Sequence, residues 1–444
     1  AEELGLKSKS DGIIELDNKY KVGTCFKNYI KDDFLYEIAL TPNRGDCASI
    51  RGIARDLAAK FTKKIKEKDL KHFNNGYKNK INWDLADLKN SSLCPLILGR
   101  HFKIKSNPES PIWLKKKLLD IGMKPISALV DITNYILFDI GRPLHVFDSN
   151  KVLGDIFVKL ANKGDSFTGL DNKKYELTQE DLVIADKEKI LSLAGIMGGA
   201  NSCVTKDTTE VFLEVAYFDP NSIAKTGRRH NIITDSRYRF ERGIDKAGLY
   251  EGVYKATELI KEICGGNYSE ITSAGNTIPE NKAIILKFSS FKKIIGYSLS
   301  KDIQMNILKN LGCKIKSESV NLCEVMPPSW RHDLTIECDL VEEIARIEGY
   351  DKIAFGKLAN EQYLPKPIFS KLNNLKVHIR EYLAYLGLNE VISFTFISPK
   401  KVIPQDGVIP ELTINNPISI DMSIMRNSLL PNLLDAVAKN FAKG

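Results

Sequence analysis

His145, Gly198, Glu214 and Thr234 each stand in or beside an apolar run, and together their types could bind a polar organic group and position water on it. The runs are Gly141-Arg142-Pro143-Leu144-His145-Val146-Phe147-Asp148, Ala194-Gly195-Ile196-Met197-Gly198-Gly199 and Leu213-Glu214-Val215-Ala216-Tyr217-Phe218-Asp219-Pro220. A fourth is Thr234-Asp235-Ser236-Arg237-Tyr238-Arg239-Phe240-Glu241-Arg242-Gly243. Gly198 and Gly199 allow a ligand or another segment to approach the backbone closely. Glu214 lies within an apolar strand, where a carboxylate needs a donor or costs several kcal/mol. Taken alone it reads equally as a structural ion pair with one of Arg228, Arg229, Arg237, Arg239 or Arg242. His145 taken alone reads as a satisfied core histidine. No Ser-His-Asp or Cys-His arrangement offers a covalent route.

Elements must hold these side chains. Leu182-Val183-Ile184-Ala185 and Ile190-Leu191-Ser192-Leu193 alternate as a hairpin that leads into the glycine run. A strand is expected from Thr209 to Ala216, bending at Asp219-Pro220, an N-cap followed by proline at the first helical position. Helices are expected from Ser110-Pro111 to Gly122 and from Ser127 to Phe138, the second carrying Asn134. Asp171-Asn172 marks a turn, and a helix with Leu249, Val253, Ala256, Ile260 and Ile263 on one stripe closes at Gly265-Gly266.

Before this region, residues 32–40 alternate as a strand, Thr41 to Asp46 form a turn, and a helix runs from Ser49 to Phe61. After it come a strand at Ala283–Leu286, two helices ending at Gly296 and Gly312, a hairpin to Met326-Pro327-Pro328 and a last helix. Asp333 precedes that helix, and Asp339, Glu342 and Glu343 share one of its faces. On residues alone these are acids favouring a helix N-terminus, with Glu342 pairing to Arg346. The final stretch offers a helix through Leu375, Val377, Ile379, Leu383 and Leu386 to Gly387, a strand at Val391–Phe396, and Leu429-Leu430-Pro431. The fold class is α+β and multidomain, with segments 1–95, 96–278 and 279–353, a linker at 354–370, and 371–444.

A chain of 444 residues has room for about three domains of ~150 residues. The cysteines at 25, 47, 94, 203, 264, 313, 323 and 338 have neither zinc-site nor disulfide-framework spacing. Net charge is +8, with eight lysines against two acids between Lys60 and Lys80, a run read as a solvated face or loop. With no leader and no apolar run near the ~18 residues needed to span a bilayer, the expected place is the cytoplasm, with no membrane partner. There is no Gly-x4-Gly-Lys-Ser/Thr phosphate loop.

In order and spacing the four runs resemble the editing module of the bacterial phenylalanyl-tRNA synthetase beta subunit. Thr41-Pro42-Asn43-Arg44-Gly45-Asp46-Cys47 and Arg331-His332-Asp333 through Gly349-Tyr350 extend the resemblance over nearly the whole chain. It implies that residues 1–95 hold the end of a tRNA-binding fold and the second half of an N-terminal module. It further implies a mixed alpha/beta editing module at 96–278, a small winged-helix-like, DNA-binding-like module at 279–353, and the start of an inactive class II synthetase-like antiparallel module at 371–444. The chain then reads as a fragment. Residue by residue, His145, Gly198, Glu214 and Thr234 fall on the family's editing residues, and Asn134, Lys124, Gly199 and Ser236 on its substrate-binding surroundings. Lys124 stands where many relatives have arginine and Ser236 where many have alanine. Asp333, Asp339, Glu342 and Glu343 match four carboxylates that bind Mg2+ at the contact with the alpha subunit, and open carboxylate sets suit a hard cation. The implied function is hydrolysis of Tyr-tRNA(Phe) within a heterotetramer of two alpha and two beta subunits, with ATP and phenylalanine handled by the alpha subunit. Glu214 would accept a hydrogen bond from the tyrosine phenol. Backbone amides near Gly198-Gly199 and the Thr234 hydroxyl would orient substrate and developing oxyanion. Two alternatives stay open: a non-catalytic scaffold for tRNA and the alpha subunit, and, less favoured by the residues, a metal hydrolase built on the carboxylates with His332.

Overall fold

The computed structural model describes residues 21–25, 34–66, 69–85, 92–276, 278–356, 369–402 and 410–444. Residues 1–20, the start of the strand expected at 32–40 and most of the linker expected at 354–370 lie outside the described residues. The chain divides into two compact units at Ala354 and Phe355.

The first unit begins with a correction. Residues 34–40 form no strand, and Phe34, Leu35 and Tyr36 are exposed. Alternation alone does not make a strand; the sheet ladder does. Ser49 then accepts from the Gly52 N–H at 3.0 Å and starts α1 (Ile50–Lys60). Its first turn seats on the preceding loop because Gly52 has no Cβ, which would lie 1.8 Å from the Asp46 carbonyl oxygen. The described lysines between 60 and 80 are exposed, as the charge run implies.

Next come β1 (Trp83–Asp84), β2 (Leu96–Lys103), α2 (Ile112–Asp120), α3 (Ala128–Ile140), β3 (His145–Asp148) and β4 (Ile156–Leu160). A small hairpin of β5 (Ser166–Thr168) and β6 (Lys174–Glu176) turns at Asn172, whose φ is +62°. Then follow β7 (Leu182–Ala185), β8 (Ile190–Leu193), β9 (Met197–Gly198), β10 (Glu210–Tyr217), α4 (Pro220–Arg229), α5 (Asp235–Phe240), α6 (Leu249–Ile263) and β11 (Asn267–Gly275). The expected hairpin, the expected helices and the strand before Asp219-Pro220 are all present. Asp219 caps α4 by accepting from the Ser222 N–H at 2.8 Å.

These strands make two sheets, one ordered β11-β2-β10-β3 and one ordered β1-β4-β7-β8-β9. β10 is central to the first and buried from Val211 to Tyr217, because both of its faces are covered. On one face Val215 lies beside Gly252 of α6; on the other Phe212 meets Trp83 of the second sheet, with ring centroids 5.3 Å apart. One contiguous core therefore joins both sheets with α3 and α6.

A second core, around Leu286, Phe291, Leu308, Val325, Leu340 and Ile344, belongs to β12 (Ile284–Lys287), α7 (Phe288–Ile295), α8 (Lys301–Asn310), β13 (Lys314–Glu318), β14 (Leu322–Met326) and α9 (Glu337–Glu348). This core also takes in Ala59 of α1. Beside that contact runs a chain of charges. Arg44 binds Asp46 and Asp56, each at 2.9 Å; Asp56 accepts from Arg346 at 2.7 Å; Arg346 and Arg331 both bind Glu343; and Arg331 binds Asp333 at 2.8 Å.

In the second unit, α10 (Lys371–Tyr385) stops before Gly387, which has a φ of +83°. The strand expected at 391–396 shrinks to β15 (Phe396–Ile397), paired with β16 (Ile424–Met425). Val391, Ile392 and Phe394 remain exposed, so no layer among the described residues covers the apolar run. α11 (Leu430–Phe441) follows with Pro431 in its first turn.

Glu343 supplies the first prediction. Burial alone would raise its pKa, but hydrogen bonds from Arg346 and Arg331 outweigh that and hold it at about 2. A depressed folded pKa gives stability that is full above about pH 4.5, the ordinary glutamate value, and is lost as pH falls toward 2. Glu343→Gln should therefore lower stability by about 3–5 kcal/mol near neutrality, since it leaves buried arginines uncompensated. The gap from wild type should close on acidification, as read by denaturant unfolding at stepped pH.

Candidate functional site

β3 and β9 are edge strands of the two sheets, and a cavity of about 300 Å³ lies between them. α3 contributes Asn134 and Leu137 to its wall, and the start of α5 contributes Thr234, Asp235 and Ser236. Leu144, Leu170, Leu193 and Phe240 make much of the remaining wall apolar.

Two strand registers place the central residues. β10 pairs with β3 so that Glu214 lies directly opposite His145. The His145 ring packs edge-on against Phe147, with centroids 4.6 Å apart, and its Nε2 is buried without a hydrogen-bond partner. Across the cavity, a Cβ on Gly198 would lie 2.3 Å from His145 Cε1 and 2.8 Å from Nε2. Gly198 is thus required by the space the imidazole takes.

Glu214 is 6% exposed, and no hydrogen bond or ion pair among the described residues reaches its carboxyl. Of the five arginines that could have neutralised it, four are engaged elsewhere and Arg228 is exposed. Arg229 binds Glu180 and Asp181, Arg237 and Arg242 bind Glu241, and Arg239 binds Asp235. Burial raises the Glu214 carboxyl to about 8 and lowers the His145 imidazole to about 4. At neutral pH the pair is a carboxylic acid beside a neutral imidazole. A protonated carboxyl can donate a hydrogen bond as well as accept one.

The hydroxyls on α5 have a different task from the one expected. Thr234 Oγ1 donates to the Ile196 carbonyl at 2.8 Å and accepts from the Arg237 N–H at 3.1 Å, capping α5. Ser236 Oγ donates to the Gly195 carbonyl at 3.0 Å. Both line the cavity, yet both clip the turn that delivers Gly198. The Gly199 N–H donates to the Leu191 carbonyl at 2.8 Å, and the residue does not line the cavity. An amide committed to a sheet neighbour is unavailable to an oxyanion, so Gly199 leaves the set. Lys124 is exposed and also absent from the lining, although its neighbour Met123 is there. Of the eight residues singled out, the fold brings together His145, Gly198, Glu214, Thr234, Asn134 and Ser236. It adds Ser192, whose buried hydroxyl has no partner. The signal in the sequence was a lone polar residue at an inward position of an otherwise apolar strand.

The acidic run does not converge. Asp339 accepts from the Ile336 N–H at 2.9 Å and the Thr335 N–H at 2.7 Å, Glu342 is exposed, and Glu343 is buried beneath Arg331 and Arg346. Arg331 also holds Asp333. Among the described residues no group of three or more His, Cys, Asp or Glu side chains is arranged to hold a metal ion. As these side chains stand they do not fit Mg2+, because guanidinium groups hold the Asp333 and Glu343 oxygens and main-chain N–H groups hold Asp339. His332 is not beside a metal set either; its Nε2 meets the Arg242 carbonyl at 2.7 Å. Among the described residues no helix is long and apolar enough to cross a membrane.

Comparison with known proteins defines the class. Residues 93–265 match the B3/4 domain, residues 284–350 the tRNA synthetase B5 domain, and residues 364–444 the phenylalanyl tRNA synthetase beta chain CLM domain. The cavity lies within the first of these matches. The whole chain is 42% identical over 443 residues to the phenylalanine–tRNA ligase beta subunit of Paramagnetospirillum magneticum, covering 55% of that protein. It is 40% identical over 444 residues to the beta subunit of Bartonella henselae, again covering all of this chain and 55% of the relative. Over its whole length the chain is thus similar to phenylalanine–tRNA ligase beta subunits, and it spans about half the length of these curated relatives.

Two predictions follow from this geometry. A carboxyl whose folded pKa is raised costs stability as pH rises from its ordinary value near 4.5 to about 8. Glu214→Gln should therefore melt at a higher temperature than wild type by a margin that grows over that interval and levels off above it. Differential scanning calorimetry across the interval checks this. Millimolar Mg2+ should leave the melting temperature of the chain unchanged, while a rise that Arg331→Met enlarges would show that the arginine masks a cation site.

Proposed function

We propose that the cavity edits: it binds the tyrosyl group of tyrosine mischarged onto tRNA(Phe) and directs water onto the ester. The observation that carries this reading is Glu214, a buried carboxyl that meets no cation and faces a cavity of side-chain size beside His145. An apolar synthetic pocket rejects an isostere carrying one extra hydroxyl only ~100-fold, so a second site that hydrogen-bonds that hydroxyl supplies the missing selectivity. Here the apolar wall would take the ring and Glu214 the phenol. Phenylalanine would leave those polar groups unpaired, at ~1–3 kcal/mol.

For the hydrolysis itself, water attacks the ester carbonyl carbon, and the ribose oxygen leaves with a proton. Thr234 and Ser236 act here by holding the 195–196 turn, through hydrogen bonds to Ile196 and Gly195. Asn134 lines the same cavity and has no protein partner among the described residues, which suits it to the amino-acid backbone or the attacking water. The gain is positional, from a held substrate and water.

In this reading the chain works as the beta subunit of an ATP-dependent phenylalanine–tRNA ligase. The alpha subunit binds ATP and phenylalanine, tRNA(Phe) is the shared substrate, and two copies of each subunit assemble in the cytoplasm. Residues 279–353 form the winged-helix-like module and residues 371–444 open the inactive class II-like module.

Release of tyrosine from Tyr-tRNA(Phe) tests the reading, with Phe-tRNA(Phe) and Glu214→Ala beside it. Wild type should release tyrosine selectively, and the variant should lose roughly tenfold or more of that selectivity. No release even with the alpha subunit present would favour the scaffold reading, in which the pocket is inherited and inert.

A further inference from the structure

Glu214 has two neighbours that continue its polar character across the junction of the sheets. His145 lies opposite it on β3, and Gly198 of β9 leaves room for the His145 ring. Gly198 in turn lies directly opposite Ser192 on β8. Glu214, His145 and Ser192 all line the cavity, and together they form one polar row that passes from the first sheet to the second.

Ser192 needs an explanation that folding does not supply. It is 4% exposed, its flanking residues are Leu191 and Leu193, and its Oγ has no hydrogen-bond partner among the described residues. Leaving a buried hydroxyl unsatisfied is destabilising, whereas alanine at the same place would cost nothing of that kind. His145 Nε2, beside Gly198, is unsatisfied in the same way. Two unpaired buried polar atoms, on residues that line one cavity, call for a ligand group that pairs with both.

We infer that Ser192 is a specificity-determining residue of this pocket, donating its hydroxyl proton to the side-chain hydroxyl of the bound amino acid. The inference rests on the editing reading and deepens it. A phenol has one proton to give and two lone pairs to fill. His145 Nε2 takes the proton, Glu214 in its acid form fills one lone pair, and Ser192 fills the other. All three protein groups are then paired by a single oxygen. A phenylalanyl ring satisfies none of them.

The test compares Ser192→Ala with wild type and Glu214→Ala, using Tyr-tRNA(Phe) and Phe-tRNA(Phe) as substrates and thermal unfolding as a control. Ser192→Ala should raise KM for the tyrosyl ester roughly tenfold, the size of one lost hydrogen bond, and leave kcat and the phenylalanyl ester nearly unchanged. Its melting temperature should be equal to or above that of wild type. Unchanged tyrosine selectivity in Ser192→Ala, with Glu214→Ala impaired, would overturn the inference and leave the editing reading standing. An equal loss on both esters with a lower melting temperature would overturn it in favour of a purely structural serine. No tyrosine release by wild type would overturn the reading and the inference together.

Discussion

A carboxyl held inside a protein without a counter-charge is unstable unless the surrounding frame refuses to relax around it, and Glu214 imposes that demand on the first unit. It occupies the middle of β10, an interior strand paired with β2 on one side and β3 on the other. Relaxation would mean dragging β10 out of register, which would turn every one of its side chains to the wrong face. The Phe212 contact with Trp83 and the Val215 contact with α6 oppose that slip from both faces. The second sheet is placed by the same logic, because β9 can approach β3 only with glycine at 198. Thr234 and Ser236 then fix the turn from which β9 emerges. The site is the point on which both sheets close, and its preorganisation comes from their core.

Much of this was legible in the sequence, for identifiable reasons. The hairpin before the glycine run, the Asp219-Pro220 bend and the stripe on α6 each carry a local signal that the tertiary structure keeps. β2 and β11 were missed because their signals are confused: β2 buries Arg100 and His101 among its apolar residues, and β11 alternates small polar residues along a half-covered edge. The strands read at residues 32–40 and 391–396 show the opposite case, a clear alternation that the fold does not use: among the described residues 34–40 form no strand, and only Phe396 of the second run enters one.

At the site, residue identity was easier to read than residue task. Six of the eight residues line one cavity, yet the hydroxyls of Thr234 and Ser236 and the amide of Gly199 bond to main-chain carbonyls. A sequence names a donor; only the fold reveals which acceptor reaches it first. The protonation of Glu214 belongs to the same category, since it follows from burial and from the diversion of the nearby arginines to other acids. The acidic run before and within α9 shows the rule in reverse. Residues that read as an open oxygen set are divided between a helix cap, a solvent-facing turn and two arginines.

Those arginines lead back to the beginning of the chain. Arg346 reaches Asp56, the Lys60 ammonium donates to the Ile347 carbonyl at 2.6 Å, and Arg55 stacks on Trp330 at 3.6 Å. Helices from sequence positions almost three hundred residues apart are thereby clamped together, with the two-sheet region strung between them. The polypeptide closes on itself like a buckled strap, so its integrity does not depend on an unbroken backbone. A proteolytic nick in the connector between Gly275 and Ile284 would leave two pieces still joined by that clasp, migrating together until denaturant separated them.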